Sequence, residues 1–137
     1  MNVASNAPAL PVSTQLRMRV LRRAIDTYDS DERVVVLGTG GLSHQLQGAR
    51  AGFINPQADE TFLNDIANNP GKLAAMSREE YVEMFGSEGA ELMMWLVMRG
   101  AMDPEVVVRH KHYFVPASMT GAGMIVLENK VSTAMAA

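Results

Sequence analysis

The 137-residue sequence contains no cysteine. That absence excludes a disulfide scaffold, a thiolate metal site and a cysteine nucleophile, and it fits a reducing compartment such as the cytoplasm. Long apolar runs are missing too: none approaches the ~18–20 residues of a membrane span. The opening MNVASNAPALPVST has no basic region followed by an apolar block, so no secretory signal is expected. Positive charge is scarce, with 12 Lys and Arg against 15 Asp and Glu and a net charge of −3. Polyanion-binding domains are ordinarily basic with clustered cations, which makes nucleic acid a poor candidate partner. Histidine occurs three times. The catalytic options are therefore few.

What remains is ordinary globular composition, 47% hydrophobic and 20% charged. A mass of 14.9 kDa gives room for one domain, and a chain near this size buries roughly two-thirds of its unfolded surface. Residues 1–13 read as an irregular lead-in, 14–130 as the folded part, and 131–137 as a frayed tail. From Thr14, apolar Leu16, Val20, Leu21, Ala24, Ile25 and Tyr28 recur at helical spacing, with Ser13 or Thr14 as the cap. Arg17, Arg19, Arg22 and Arg23 form the solvated face of that helix. The β-branched run Arg33–Leu37 predicts a strand buried on both faces, ending at Gly38-Thr39-Gly40-Gly41. Further on come a helix over 59–68 closed by Asn69-Pro70-Gly71, and a capping box Ser77-Arg-Glu-Glu80 opening a helix to Gly86. An apolar helix over 87–102 follows, then extended segments over 106–115 and 123–128. The fold class is α/β, a layered, mostly buried sheet flanked by helices.

His44 lies six residues beyond Gly38, in a glycine-dense turn at a predicted strand end. Open α/β sheets place ligands there, and an imidazole exchanges protons near neutral pH. The alternative is a loop histidine satisfied by a backbone carbonyl. A dinucleotide fingerprint starting at Gly38 would need glycine at position 43, where the chain has Ser43. A non-catalytic module that cradles a small anion on the amides of Gly38–Gly41 remains open. Glu91 opens an otherwise apolar helix, where a buried carboxylate needs a partner, a proton or a metal; at a solvated end it would simply complement the helix dipole. His110 and His112 project from one face of a strand, a spacing that suits a first-row metal. Arg109 and Lys111 beside them point instead to a solvated, cationic face.

Together these residues resemble a family. The runs Val36–Asn55 (VLGTGGLSHQLQGARAGFIN), Gly89–Ala101 (GAELMMWLVMRGA) and Tyr113–Thr120 (YFVPASMT) are similar to segments of the class III extradiol ring-cleavage dioxygenases. This is the family of the protocatechuate 4,5-dioxygenase beta subunit and gallate dioxygenase, and the likeness extends from Arg19 to Asn129. The resemblance implies Fe(II), held by two histidines and one glutamate, and ring cleavage of a catechol acid such as protocatechuate or gallate by O2. Glu91 matches the glutamate ligand, His44 the acid/base, and Ser118 a pocket residue that hydrogen-bonds the ring substituent. It also implies a cytoplasmic oligomer, either a dimer or an assembly with a small helical companion subunit.

One departure is large. The family draws its two iron-binding histidines from upstream of the acid/base, and no histidine precedes His44. The chain is therefore expected to be the carboxyl-terminal half of a catalytic domain, whether as a fragment, a truncated gene model or part of a split enzyme. Supplying one iron ligand of three, it is expected to be inactive alone.

Overall fold

The computed structural model describes residues 12–130, with side chains from Arg19 onward; the lead-in over 1–11 and the tail over 131–137 lie outside the described residues. Among the described residues, five α-helices precede a β-hairpin. They are α1 (Val12–Asp26), α2 (Pro56–Asn68), α3 (Pro70–Ala75), α4 (Arg78–Phe85) and α5 (Leu92–Gly100), with a 3-10 turn over Ser87–Glu91 leading into α5. The hairpin pairs β1 (Val106–Phe114) with β2 (Ala122–Asn129) antiparallel. No described helix is long and apolar enough to cross a membrane.

Local signals account for most boundaries. Helix α1 begins at Val12, so Ser13 and Thr14 fall inside its first turn rather than at its cap, and their side chains lie outside the described residues. The Asn55 side chain accepts from the Ala58 amide and starts α2 three residues before the predicted position. Pro70 does not end the helical region; it occupies the first turn of α3, where its missing N–H is harmless. Ser77 and Glu80 form the expected capping box. The predicted helix over 87–102 is divided, because its first five residues wind as a tighter 3-10 turn.

The core forms where three helical stripes meet. Phe62, Leu63 and Ile66 of α2 face Tyr81 and Phe85 of α4 and Leu92, Trp95 and Leu96 of α5. Phe62 packs edge-on against both Phe85 and Trp95, with ring centroids 5.7 and 5.9 Å apart. Arg99 is buried beside this core and donates to the carbonyls of Ile66, Asp103 and Pro104 at 3.0, 2.8 and 2.7 Å. One guanidinium thus serves the end of α2 and the segment after α5. Arg99→Leu strands those three carbonyls and is expected to cost about 2–3 kcal/mol, read as a lower urea midpoint. An unchanged midpoint would show that water replaces the guanidinium.

The hairpin lays one face on α2. Lys111 reaches the Asn64 side chain at 2.8 Å, and Tyr113 reaches Asp59. The α/β class stands, with a two-stranded sheet among the described residues. The predicted strand over 33–37 differs from expectation. It forms no strand, and Val35 and Leu37 are 71% and 79% exposed. A β-branched run specifies extended backbone and apolar surface, but a strand also needs a neighbour to take its hydrogen bonds. Among the described residues none does. Arg22 corrects the picture of a simply solvated arginine face, because it pairs with Asp26 at 2.9 Å and Asp103 at 2.6 Å.

Candidate active site

The loop leading to His44 is fastened from both sides. The Leu42 amide donates to Gly121 O, the Gly121 amide to Ser43 O, and the His44 amide to Phe85 O, each at 2.8 Å. The imidazole is consequently buried, with 6% exposure. Its Nδ1 lies 2.8 Å from Leu42 O. A carbonyl can only accept, so Nδ1 carries the proton and Nε2 keeps its lone pair in the neutral ring. The backbone carbonyl of the alternative reading is present, at Nδ1. One nitrogen is satisfied, and the other is left as a base.

Of the two settings open to Glu91, the structure shows the solvated helix end. It is exposed, at the junction of the 3-10 turn and α5, so burial supplies no reason for a partner. Its Oε2 nevertheless accepts the Gly41 amide at 3.1 Å. The Trp95 indole donates to Gly40 O at 3.2 Å and holds the same turn. Gly40 has φ +128°, and a Cβ there would lie 2.8 Å from Glu91 Cβ. A Cβ on Gly41 would meet His44 Cε1 at 2.9 Å and Thr120 Cγ2 at 2.7 Å. Gly41 is therefore the spacer between the carboxylate and the imidazole. Of the four amides in the proposed anion cradle, that of Gly41 is already given to a carboxylate. Nearby, the Ser87 hydroxyl holds the Glu88 carboxyl below its usual range.

Ser118 is exposed in the turn between the strands, closed by the Met119 amide donating to Pro116 O at 3.1 Å. Met119 has φ +54°, the only positive φ of a non-glycine residue among those described. The Gly121 bonds to Leu42 and Ser43 tie this turn to the His44 loop. His44, Glu91 and Ser118, far apart in sequence, thus lie on segments that meet at Gly41 and Gly121.

His110 and His112 stand elsewhere. Their rings stack at 6.5 Å, and His112 tilts against Phe114 at 5.6 Å, all on exposed residues. The pair is solvated as expected; Lys111 points to the opposite face, toward α2, and the exposed Arg109 is paired with Glu128. Among the described residues no three His, Asp or Glu side chains group to hold a metal ion. Glu91 is a carboxylate of the kind that a metal site uses, and the described residues give it no companions.

Asp59 escaped the sequence because an acid in a helix's first turn looks like dipole complementation. It is fully buried and touches the His44 loop directly. The contacts that distinguish it from a solvated acid come from Ser43 and Tyr113, 16 and 54 residues away in sequence.

A family model described as the catalytic LigB subunit of aromatic ring-opening dioxygenase matches residues 2–125. Gallate dioxygenase of Pseudomonas putida is 43% identical over 125 residues, covering 88% of this chain and 36% of that protein. A 2,3-dihydroxyphenylpropionate/2,3-dihydroxicinnamic acid 1,2-dioxygenase of Photorhabdus laumondii is 34% identical over 76 residues, which cover 54% of this chain and 23% of the relative. The chain spans about a third of the length of gallate dioxygenase.

Proposed function

This chain belongs to the LigB family of aromatic ring-opening dioxygenase catalytic subunits, and from that membership we propose that it carries the acid/base half of an extradiol active site. The reaction is cleavage of a catechol acid, gallate or protocatechuate, with both atoms of O2 entering the product. The observation that supports this most directly is the placement of His44 and Glu91 on the two sides of Gly41. In this proposal Glu91 is one ligand to a non-haem Fe(II). The iron, when bound, would supply open positions at which a diol and oxygen meet. Its two histidine ligands come from polypeptide other than the described residues, within a cytoplasmic, oligomeric enzyme.

The chain's own contribution is proton handling and orientation. His44 Nε2 takes a proton from a substrate hydroxyl, while Nδ1–H stays on Leu42 O and keeps the ring aimed. The same nitrogen returns a proton as the ring opens. The Ser118 hydroxyl donates to the substrate carboxylate from the exposed turn.

Oxygen uptake tests the proposal. The protein assembled with the polypeptide that supplies the histidines should consume one O2 per gallate or protocatechuate, and an iron chelator should abolish this. The 137 residues alone should consume none. Uptake by the isolated chain, or no uptake by the assembled enzyme, would sink it. In the assembled enzyme Ser118→Ala should raise KM about tenfold with kcat little changed, the loss of one hydrogen bond to a charged group. An unchanged KM would remove Ser118 from the pocket.

A further inference from the structure

The carboxylate of Asp59 is completely buried, and no cation pairs with it among the described residues. A buried charge in that condition needs several strong donors. Asp59 has three. Oδ1 accepts the Ser43 amide at 2.8 Å, while Oδ2 accepts the Ser43 hydroxyl at 2.6 Å and the Tyr113 hydroxyl at 2.8 Å. The Ser43 oxygen itself accepts the Asn55 amide at 2.7 Å, so its own proton is committed to Asp59. Burial, then the Asp59 contact, hold the Tyr113 phenol above its usual range, which keeps it a donor.

The Ser43 N–H and the Leu42 C=O belong to one planar peptide, and in a trans peptide they point in opposite directions. Asp59 grips the N–H end. The C=O end receives the Nδ1 proton of His44 at 2.8 Å. A carboxylate on one end of a peptide also polarises it and makes the far oxygen a better acceptor. We infer that Asp59 is a positioning residue for His44, acting through the Leu42–Ser43 peptide to fix the ring's direction and its Nδ1–H tautomer. The Gly121 bonds to Leu42 and Ser43 extend this control to the turn bearing Ser118. A Cβ at Gly121 would lie 2.4 Å from Asp59 Oδ2, so the carboxylate is hemmed in against that turn. The placement stands on geometry alone; its consequence for turnover rests on the proposed ring cleavage.

Asp59→Asn keeps the shape but removes the charge and puts an amide donor against hydroxyl donors or the Ser43 N–H. Two measurements test it. The first is nitrogen-15 NMR of the imidazoles in the 137-residue chain. Wild type should show His44 as one tautomer with Nδ1 protonated, together with a downfield, slowly exchanging Ser43 amide. Asp59→Asn should convert His44 to a mixture while His110 and His112 stay unchanged. Tyr113→Phe, which leaves the Ser43 amide bond in place, should keep the single tautomer. The second is turnover by the assembled enzyme, where Asp59→Asn should lower kcat on the order of tenfold to a hundredfold with KM within about threefold.

A wild-type His44 carrying its proton on Nε2, or a freely exchanging Ser43 amide, overturns the inference even if Asp59→Asn fails to fold. So does a folded Asp59→Asn protein with an unchanged His44 spectrum or unchanged kcat. If the assembled wild-type enzyme cleaves no ring, the functional proposal fails, and the NMR result still decides the role of Asp59.

Discussion

His44→Ala in the assembled enzyme is expected to lower kcat for ring cleavage by about three orders of magnitude, within the usual range for a general acid/base. KM should change little, because the substrate's carboxylate is held by the Ser118 turn and its diol by the metal in the proposed site. The size of the effect follows from the hydrogen bonding around the ring. With Nδ1–H on Leu42 O, the free nitrogen is Nε2 alone, and no described side chain bonds it as a substitute base. Steady-state kinetics with gallate, alongside substrate binding by the variant, checks this. A loss in KM rather than in kcat would make His44 a binding group. A rate within tenfold of wild type would remove it from the chemistry.

Gly86→Ala should produce the largest loss of stability. Gly86 joins α4 to the 3-10 turn with φ +90° and ψ 179°, a region occupied almost solely by glycine and costing other residues about 1–3 kcal/mol. Space adds to strain. A Cβ there would sit 2.1 Å from His44 O and 2.8 Å from His44 C, both backbone atoms. Backbone cannot swing aside as a flexible side chain can, so the His44 loop must move off Phe85 and break the 2.8 Å bond from the His44 amide. The total is expected to exceed about 3 kcal/mol, a large part of a small domain's stability. Thermal unfolding reads it directly. A melting temperature within a degree or two of wild type would mean that the loop repacks without resistance. Gly71→Ala is the control, since a Cβ at Gly71 meets nothing within 4 Å.

The helical part of the fold was legible wherever the signal is local. The Ser77 capping box, the stop at Gly86 and the apolar stripes of α2 and α5 depend on residues three or four apart, and they appear as expected. The two strands of the hairpin were legible as extended runs, though not as partners. The failures have one cause. Arg33–Leu37 has the composition of a buried strand and is exposed, because burial is a property of what lies opposite. Lys111 is adjacent to both histidines in sequence, yet the pleat sends it to the other face.

The sequence by itself determined the family, through long runs around His44, Glu91 and Ser118, and it determined the chemistry those side chains can offer. Tertiary structure decided how they are used. Gly41 separates the carboxylate from the imidazole only because α5 and the His44 loop pack together. The tautomer of His44 depends on the direction of one peptide, and that direction is gripped by Asp59, itself held by Tyr113 from across the fold. Periodicity and caps are set by neighbours along the chain, so they can be read from it. A buried carboxylate's partners are set by contacts between segments 16 and 54 residues apart, and no local pattern encodes them.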